Sequence, residues 1–346
     1  MCIRDRFILS SIPVDRAEPS EALKATTVWS VGFDGSSQIL ISDKQVSNFK
    51  KGQSVEPEFD TRASRGAYFI NEKIELIENE TKEWYTIAEI NQESTQVSNL
   101  SHFISQTKEL VELINKDIEQ GTLNLKKMVG FADGFQMTNT DLCYARHYSN
   151  TLFNIMRGGI FANNYSIDVN DFTLYLWQIN RLITKEYQSW LENIPNDNSY
   201  SVLIDLAEKT QDADLIRITY EYLPLIFSRR HGDPSRPWNM FSIETKDKNG
   251  QAKYYYAGNW RDIFQNWEAL CYSYPEFTEG IISKFVNSST IDGYNPYRIM
   301  RDGIDWECPE PNDPWSYIGY WGDHQIIYLQ KLLEVSNNFH PGKIDN

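Results

Sequence analysis

The sequence lacks most of the motifs that would name a chemistry outright. It has no GxGxxG, no Walker phosphate loop, no GxSxG elbow and no HExxH pair. Nucleotide, serine-hydrolase and zinc-protease chemistries therefore lose their main warrants. Basic charge is also in short supply, with 33 Lys and Arg against 48 Asp and Glu and a net charge of −15. That balance is wrong for the phosphate backbone of nucleic acid, which needs clustered cations, and equally wrong for an anionic membrane surface. No stretch approaches the ~18 apolar residues of a membrane span. Cysteine is limited to Cys2, Cys143, Cys271 and Cys308, with no CxxC pair. This reads as neither a disulfide scaffold nor a zinc site, and a reducing, cytoplasmic compartment is expected. No metal and no cofactor are expected.

Aromatic residues, in contrast, are abundant, at 14% of the chain, and six of the ten tryptophans fall in its last third. The densest stretch is "DGYNPYRIMRDGIDWECPEPNDPWSYIGYWGDHQ", residues 292–325. Pro296, Pro309, Pro311 and Pro314 forbid continuous helix there and interrupt sheet pairing. Flat rings interleaved with Asp305, Glu307, Glu310 and Asp323 on loops suggest a surface site rather than a core.

The hydrophobic period divides the chain. Residues 1–6, "MCIRDR", read as a non-native remnant. Residues 7–96 read as a β unit: from about 26 to 92 runs such as "TTVWSVGF" and "EWYTIAEI" are rich in β-branched and aromatic residues, the latter alternating with period two, between Gly and Asp turns. Part of an antiparallel sandwich is expected. Residues 97–165 read as a helical connector, with one helix stopped by Gly121 and another by Gly158 and Gly159. From 166 to 346 helices dominate. Asp168 is placed to cap a long helix over "VNDFTLYLWQINRLITKEYQSWLENI", and further helices fit "ADLIRITYEYLPLIF", "NWRDIFQNWEALCYSY" and "GDHQIIYLQKLLEVSN". No internal repeat of fixed period is visible.

Within "GNWRDIFQNWEAL", Trp260, Ile263, Phe264 and Trp267 form an apolar stripe that leaves Arg261, Asp262 and Gln265 off it. An Arg–Asp pair beside tryptophans can give a sugar bidentate hydrogen bonds and a ring face. Asp262 reads equally as a helix-start carboxylate favoured by the macrodipole. In "IDWECPEP", Asp305 and Glu307 flank Trp306. Carboxylates walled by aromatics can hold a proton at neutral pH, as a general acid must, although a solvated acidic loop is the commoner fate of such residues. Arg229, Arg230 and Arg236 in "RRHGDPSRPWN" suit either an anion clamp or ordinary surface ion pairs.

These residues resemble the six-hairpin glycosidase superfamily, and within it the cellobiose-phosphorylase-type enzymes. Their RDxxQD pattern matches at Arg261, Asp262 and Gln265 and departs at Asn266, where an Asp is expected. The resemblance implies an α+β multidomain chain, a partial β-sandwich followed by part of an (α/α)6 toroid. It implies that Arg261 and Asp262 bind sugar at the reacting subsite. "YWGDHQ" is similar to a later helix start of the family, which adds Trp321, Asp323 and His324 to the expected sugar contacts beside Trp260, Gln265, Trp306 and Trp315. "IDWE" resembles the family's acid-bearing loop, with Asp305 and Glu307 as catalytic candidates. The implied activity is cleavage of a glycosidic bond with inversion, by hydrolysis or phosphorolysis of an oligosaccharide, with inorganic phosphate as a candidate second substrate. The alternative is a toroid that holds glycans without catalysis. Isoprenoid cyclisation, a third use of helical toroids, would want DxDD or DDxxD runs, and none is present. Helices after residue 166 fill roughly half of such a ring, so the chain by itself is expected to be inactive.

Overall fold

The computed structural model describes residues 3–10, 22–33, 35–62, 64, 66–196, 198–226, 253–306, 311–312, 320–321 and 326–345, with the backbone alone at 3–10, 22–24, 91, 261, 320 and 321. These residues form an α+β structure of helices and small antiparallel sheets, without a closed barrel among them. The chain divides into two compact units, Met1–Leu123 and Asn124–Asn346.

The first unit holds β1 (Ile3–Ser10), β2 (Ala22–Val31), β3 (Gln38–Ser42), α1 (Val46–Lys50), β4 (Gly66–Asn71), β5 (Tyr85–Gln92) and α2 (Ser94–Gln106). One sheet has the order β1-β2-β5 and a second pairs β3 with β4, all antiparallel. β1 pairs with β2 from Ile3 opposite Trp29 to Ser10 opposite Ala22, so residues 3–6 of the segment read as a remnant lie in this ladder. Early in β2, Ala25, Thr27 and Trp29 are buried and alternate with half-buried Thr26 and Val28, the period-two signature of a strand with one face inward. Trp29 packs with Ile104 and Leu110 in a small core that Ile87 joins. The hydroxyl of Tyr68 on β4 donates to Ser30 Oγ on β2 at 3.1 Å.

α3 (Leu110–Phe131) overturns one expectation. Gly121 does not stop the helix, which continues for another ten residues. Leu125, Met128 and Val129 keep helical spacing beyond it and pack against the larger core. A mid-helix glycine costs about 1 kcal/mol relative to alanine, which such burial outweighs. The division between the two units falls within this helix.

The second unit begins its own elements with α4 (Asp141–Gly158), which ends as expected at Gly158 and Gly159, the latter at φ +84°. After β6 (Ile160–Phe161) and β7 (Ser166–Ile167), Asp168 caps α5 (Val169–Ile179) by accepting from the backbone N–H groups of Asn170 and Asp171. The long helix expected from there is three pieces: α5, α6 (Arg181–Glu186) and α7 (Gln188–Glu192). Asn180 causes the first break. Its backbone is extended and its side chain accepts from Leu182 and Ile183 N–H, so it serves as a new N-cap. β8 (Asn198–Ser199), α8 (Tyr200–Glu208) and α9 (Ala213–Tyr220) follow. α9 stops short of the expected span, because Pro224 cannot continue it and β9 (Leu225–Ile226) pairs with β6 instead.

β10 (Ala257–Asn259) leads directly into α10 (Trp260–Ser273), followed by α11 (Thr278–Asn287), β11 (Tyr294–Asn295), β12 (Arg298–Met300), β13 (Gly303–Asp305), β14 (Tyr320–Trp321) and α12 (Ile326–Phe339). α10 packs against α4, α11 and α12, and α11 against α9. Aromatic rings fill the core between them. Phe161 stacks on Phe277 at 3.7 Å between centroids, and Phe264 meets Trp267 edge to face at 5.5 Å. Gly280 on α11 lets α9 approach closely: a Cβ there would lie 2.1 Å from Tyr220 O and 2.9 Å from Tyr200 Oη. Gly280→Ala is therefore expected to destabilise the protein by ~1–3 kcal/mol through overpacking, read as a lower denaturant midpoint at unchanged slope.

Candidate functional site

The sheet β10-β12-β13 determines what surrounds the start of α10. Its register aligns Asn259 with Arg298, and Arg298 with Asp305. At the same end, Trp260 N–H donates to Tyr297 O and Tyr297 N–H donates to Asp305 O, both at 3.0 Å. The hairpin thus satisfies the first backbone donor of α10, which the helix itself cannot. The backbone of Arg261 and Asp262 is held at the same end of the sheet as Asp305 and Trp306, with β12 between them.

Asp305 is half-exposed and forms an ion pair with Arg298 across the hairpin. Trp306 is 39% exposed, and its ring stacks on Tyr294, with centroids 6.0 Å apart and planes 17° from parallel. Tyr294 in turn stands opposite Trp321 in the β11–β14 pair. Three separate stretches, 259–262, 294–306 and 320–321, are therefore brought together by backbone pairing.

A buried ion pair fixes the far end of this hairpin. Arg301, in the turn between β12 and β13, donates through Nη2 to both carboxylate oxygens of Asp171, at 2.8 and 2.7 Å. Both side chains are less than a tenth exposed. Tyr222 Oη donates to the same carboxylate at 2.6 Å, and the guanidinium lies 5.6 Å from the centre of the Tyr175 ring. Burial pushes the Asp171 carboxyl above its ordinary range, against the opposing pull of Arg301 and the Tyr222 hydrogen bond. Burial also raises the neighbouring Tyr175 and Tyr256 phenols. Nothing in the sequence singled out this anchor. Its one signal was an aspartate in the first turn of α5, where the helix dipole favours an acid anyway.

Trp260 is in the core. It is 1% exposed and its indole N–H donates to Ser288 Oγ at 3.0 Å, so its ring packs the helix against α11 and does not face solvent. Asn266, which replaces the aspartate of the resembling pattern, is also buried and donates from Nδ2 to Asp262 O at 3.3 Å. Asp262 itself is half-buried. Gln265 is exposed and lines a cleft of about 520 Å³ between α4 and α10. Glu307, Trp315, Asp323 and His324 lie outside the described residues, as does the loop with Arg229, Arg230 and Arg236. Among the described residues no group of three or more His, Cys, Asp or Glu could hold a metal ion, and no helix is long and apolar enough to cross a membrane.

Residues 161–224 match the family model described as glycoside hydrolase family 149 insertion domain 1. The matched segment runs from β6 to the residue before β9 and includes Asp171, Tyr175 and Tyr222, the receiving side of the Arg301 anchor. The match supports a glycoside-active enzyme of a glycoside hydrolase family. No curated protein matches the chain.

Proposed function

We propose that this chain belongs to an enzyme that cleaves a glycosidic bond of an oligosaccharide with inversion, and that the saccharide lies against the start of α10 and the β12–β13 hairpin. The observation that carries this reading is that the β10-β12-β13 register sets the start of α10, with Arg261 and Asp262, at the sheet end that carries Asp305, where the ring of Trp306 stacks on Tyr294. In this reading the helical unit is the first part of an (α/α)6 toroid. Arg261 and Asp262 hydrogen-bond sugar hydroxyls, and the exposed Trp306 ring covers a C–H face. Trp315, Trp321, Asp323 and His324 complete the contacts.

Asp305 and Glu307 are the catalytic candidates. One carboxylic acid protonates the leaving oxygen while water or inorganic phosphate attacks the opposite face of the ring. With water as nucleophile, a second carboxylate ~6.5–9.5 Å away must activate it; phosphate requires only cations to hold it, a role open to Arg229, Arg230 and Arg236. The test is anomer-resolved NMR of products from the protein expressed from its full reading frame, with and without phosphate. Inverted free sugar or inverted sugar 1-phosphate is expected; a retained anomer contradicts the mechanism. A second reading, a glycan-holding toroid without turnover, draws on the Asn266 amide's bond to Asp262 O and on the pairing of Asp305 with Arg298. Saccharide binding with no product under either condition would favour it.

A further inference from the structure

We infer that the cleft between α4 and α10 is a second saccharide site, separate from the hairpin, and that Gln265 serves this cleft and not the reacting site; this rests on the reading of the chain as carbohydrate-active. Two polar stripes line it at helical spacing: Asn150, Asn154 and Arg157 on α4, and Gln265, Glu268 and Tyr272 on α10. The helices close on one another at Gly158, where an added Cβ would stand 3.1 Å from Asn266 O, and Ser273 Oγ donates to Ala132 O at 3.1 Å. Between these two contacts the cleft opens to about 520 Å³, within the ~300–1,000 Å³ of small-molecule sites.

The lining chemistry selects a neutral polyol. Among the described residues no protein group bonds the side-chain amides of Asn150, Asn154 or Gln265, and each amide offers both donors and an acceptor. The Tyr272 ring is 60% exposed, a flat face for the C–H side of a sugar. Charge is balanced. Arg157 is set against Asp133, and Glu268 is already paired with Lys331 at 3.2 Å. An anion would meet those two carboxylates, and an apolar ligand would leave the amides without partners.

Calorimetric titration of the 346-residue chain with cellohexaose, maltohexaose and inorganic phosphate tests this, using wild type, Asn154→Ala/Tyr272→Ala and Asp262→Asn. The cleft variant is expected to lose one oligosaccharide-binding event, weakened about 10-fold or more, with its thermal midpoint unchanged. Asp262→Asn is expected to leave that event in place. A cleft variant that titrates like wild type overturns the inference whatever Asp262→Asn does, and so does a cleft that takes phosphate and neither oligosaccharide. An Asp262→Asn protein that titrates like wild type bears instead on the hairpin site.

Discussion

Replacing Arg301 by methionine is expected to destabilise the protein by ~3–5 kcal/mol at neutral pH, the range for breaking a buried ion pair from one side. Among the described residues, Asp171 would be left with its carboxylate buried and only the Tyr222 hydroxyl donating to it. The pH dependence has a definite sign. Burial already raises the Asp171 carboxyl in the native protein, and removing Arg301 removes its largest opposing influence. A carboxyl raised by folding contributes stability that is present below its unfolded pKa and lost as pH rises through its folded pKa. The deficit of Arg301→Met should therefore shrink on acidification, as Asp171 takes up a proton. The double variant Asp171→Leu/Arg301→Met should be closer to wild type than either single change, because neither charge is then left alone. Denaturant unfolding across pH checks all three expectations. A deficit that stays constant with pH would show that Arg301 acts by packing on Tyr175 rather than through its charge.

The second large effect concerns turnover. Asp305→Asn and Glu307→Gln, made in the full reading frame, should include one that slows cleavage at least ~100-fold, the usual worth of a positioned acid or base. Both substitutions remove the ability to exchange a proton while nearly preserving shape. Asp305→Asn also loosens the hairpin's bond to Arg298, so its thermal midpoint must be measured alongside. If neither variant slows turnover by that factor, the general acid lies elsewhere.

The sequence made local features easy to read wherever one side chain controls the backbone. Asp168 accepts from two backbone donors at the start of α5, and Gly158 and Gly159 end α4. The period of two in β2 and β5 matches their pairing. What was not legible is competition between local and distant partners. Asn180 breaks a helix whose apolar period continues across it, and Gly121 fails to break one whose far half is buried. The 97–165 stretch, read as one helical connector, is divided between the two units. At the candidate site, the period alone placed Trp260 correctly on an apolar stripe, but proximity to Arg261 and Asp262 suggested a ligand contact; the structure gives it to the core. The Arg301–Asp171 anchor joins residues far apart in sequence, and no local pattern records such a pair.

The central claim is that the start of α10 and the β12–β13 hairpin hold a saccharide. It is tested most directly by titrating cello- and malto-oligosaccharides onto Asp262→Asn, built in the Asn154→Ala/Tyr272→Ala background so that the α4–α10 cleft contributes nothing. The parent without the Asp262 change serves as reference. The account predicts that Asp262→Asn weakens the remaining binding by about 10-fold or more with a nearly unchanged thermal midpoint. Equal affinities, with a loss of ~0.3–1 kcal/mol in stability, would show that Asp262 serves only the helix dipole and would contradict it.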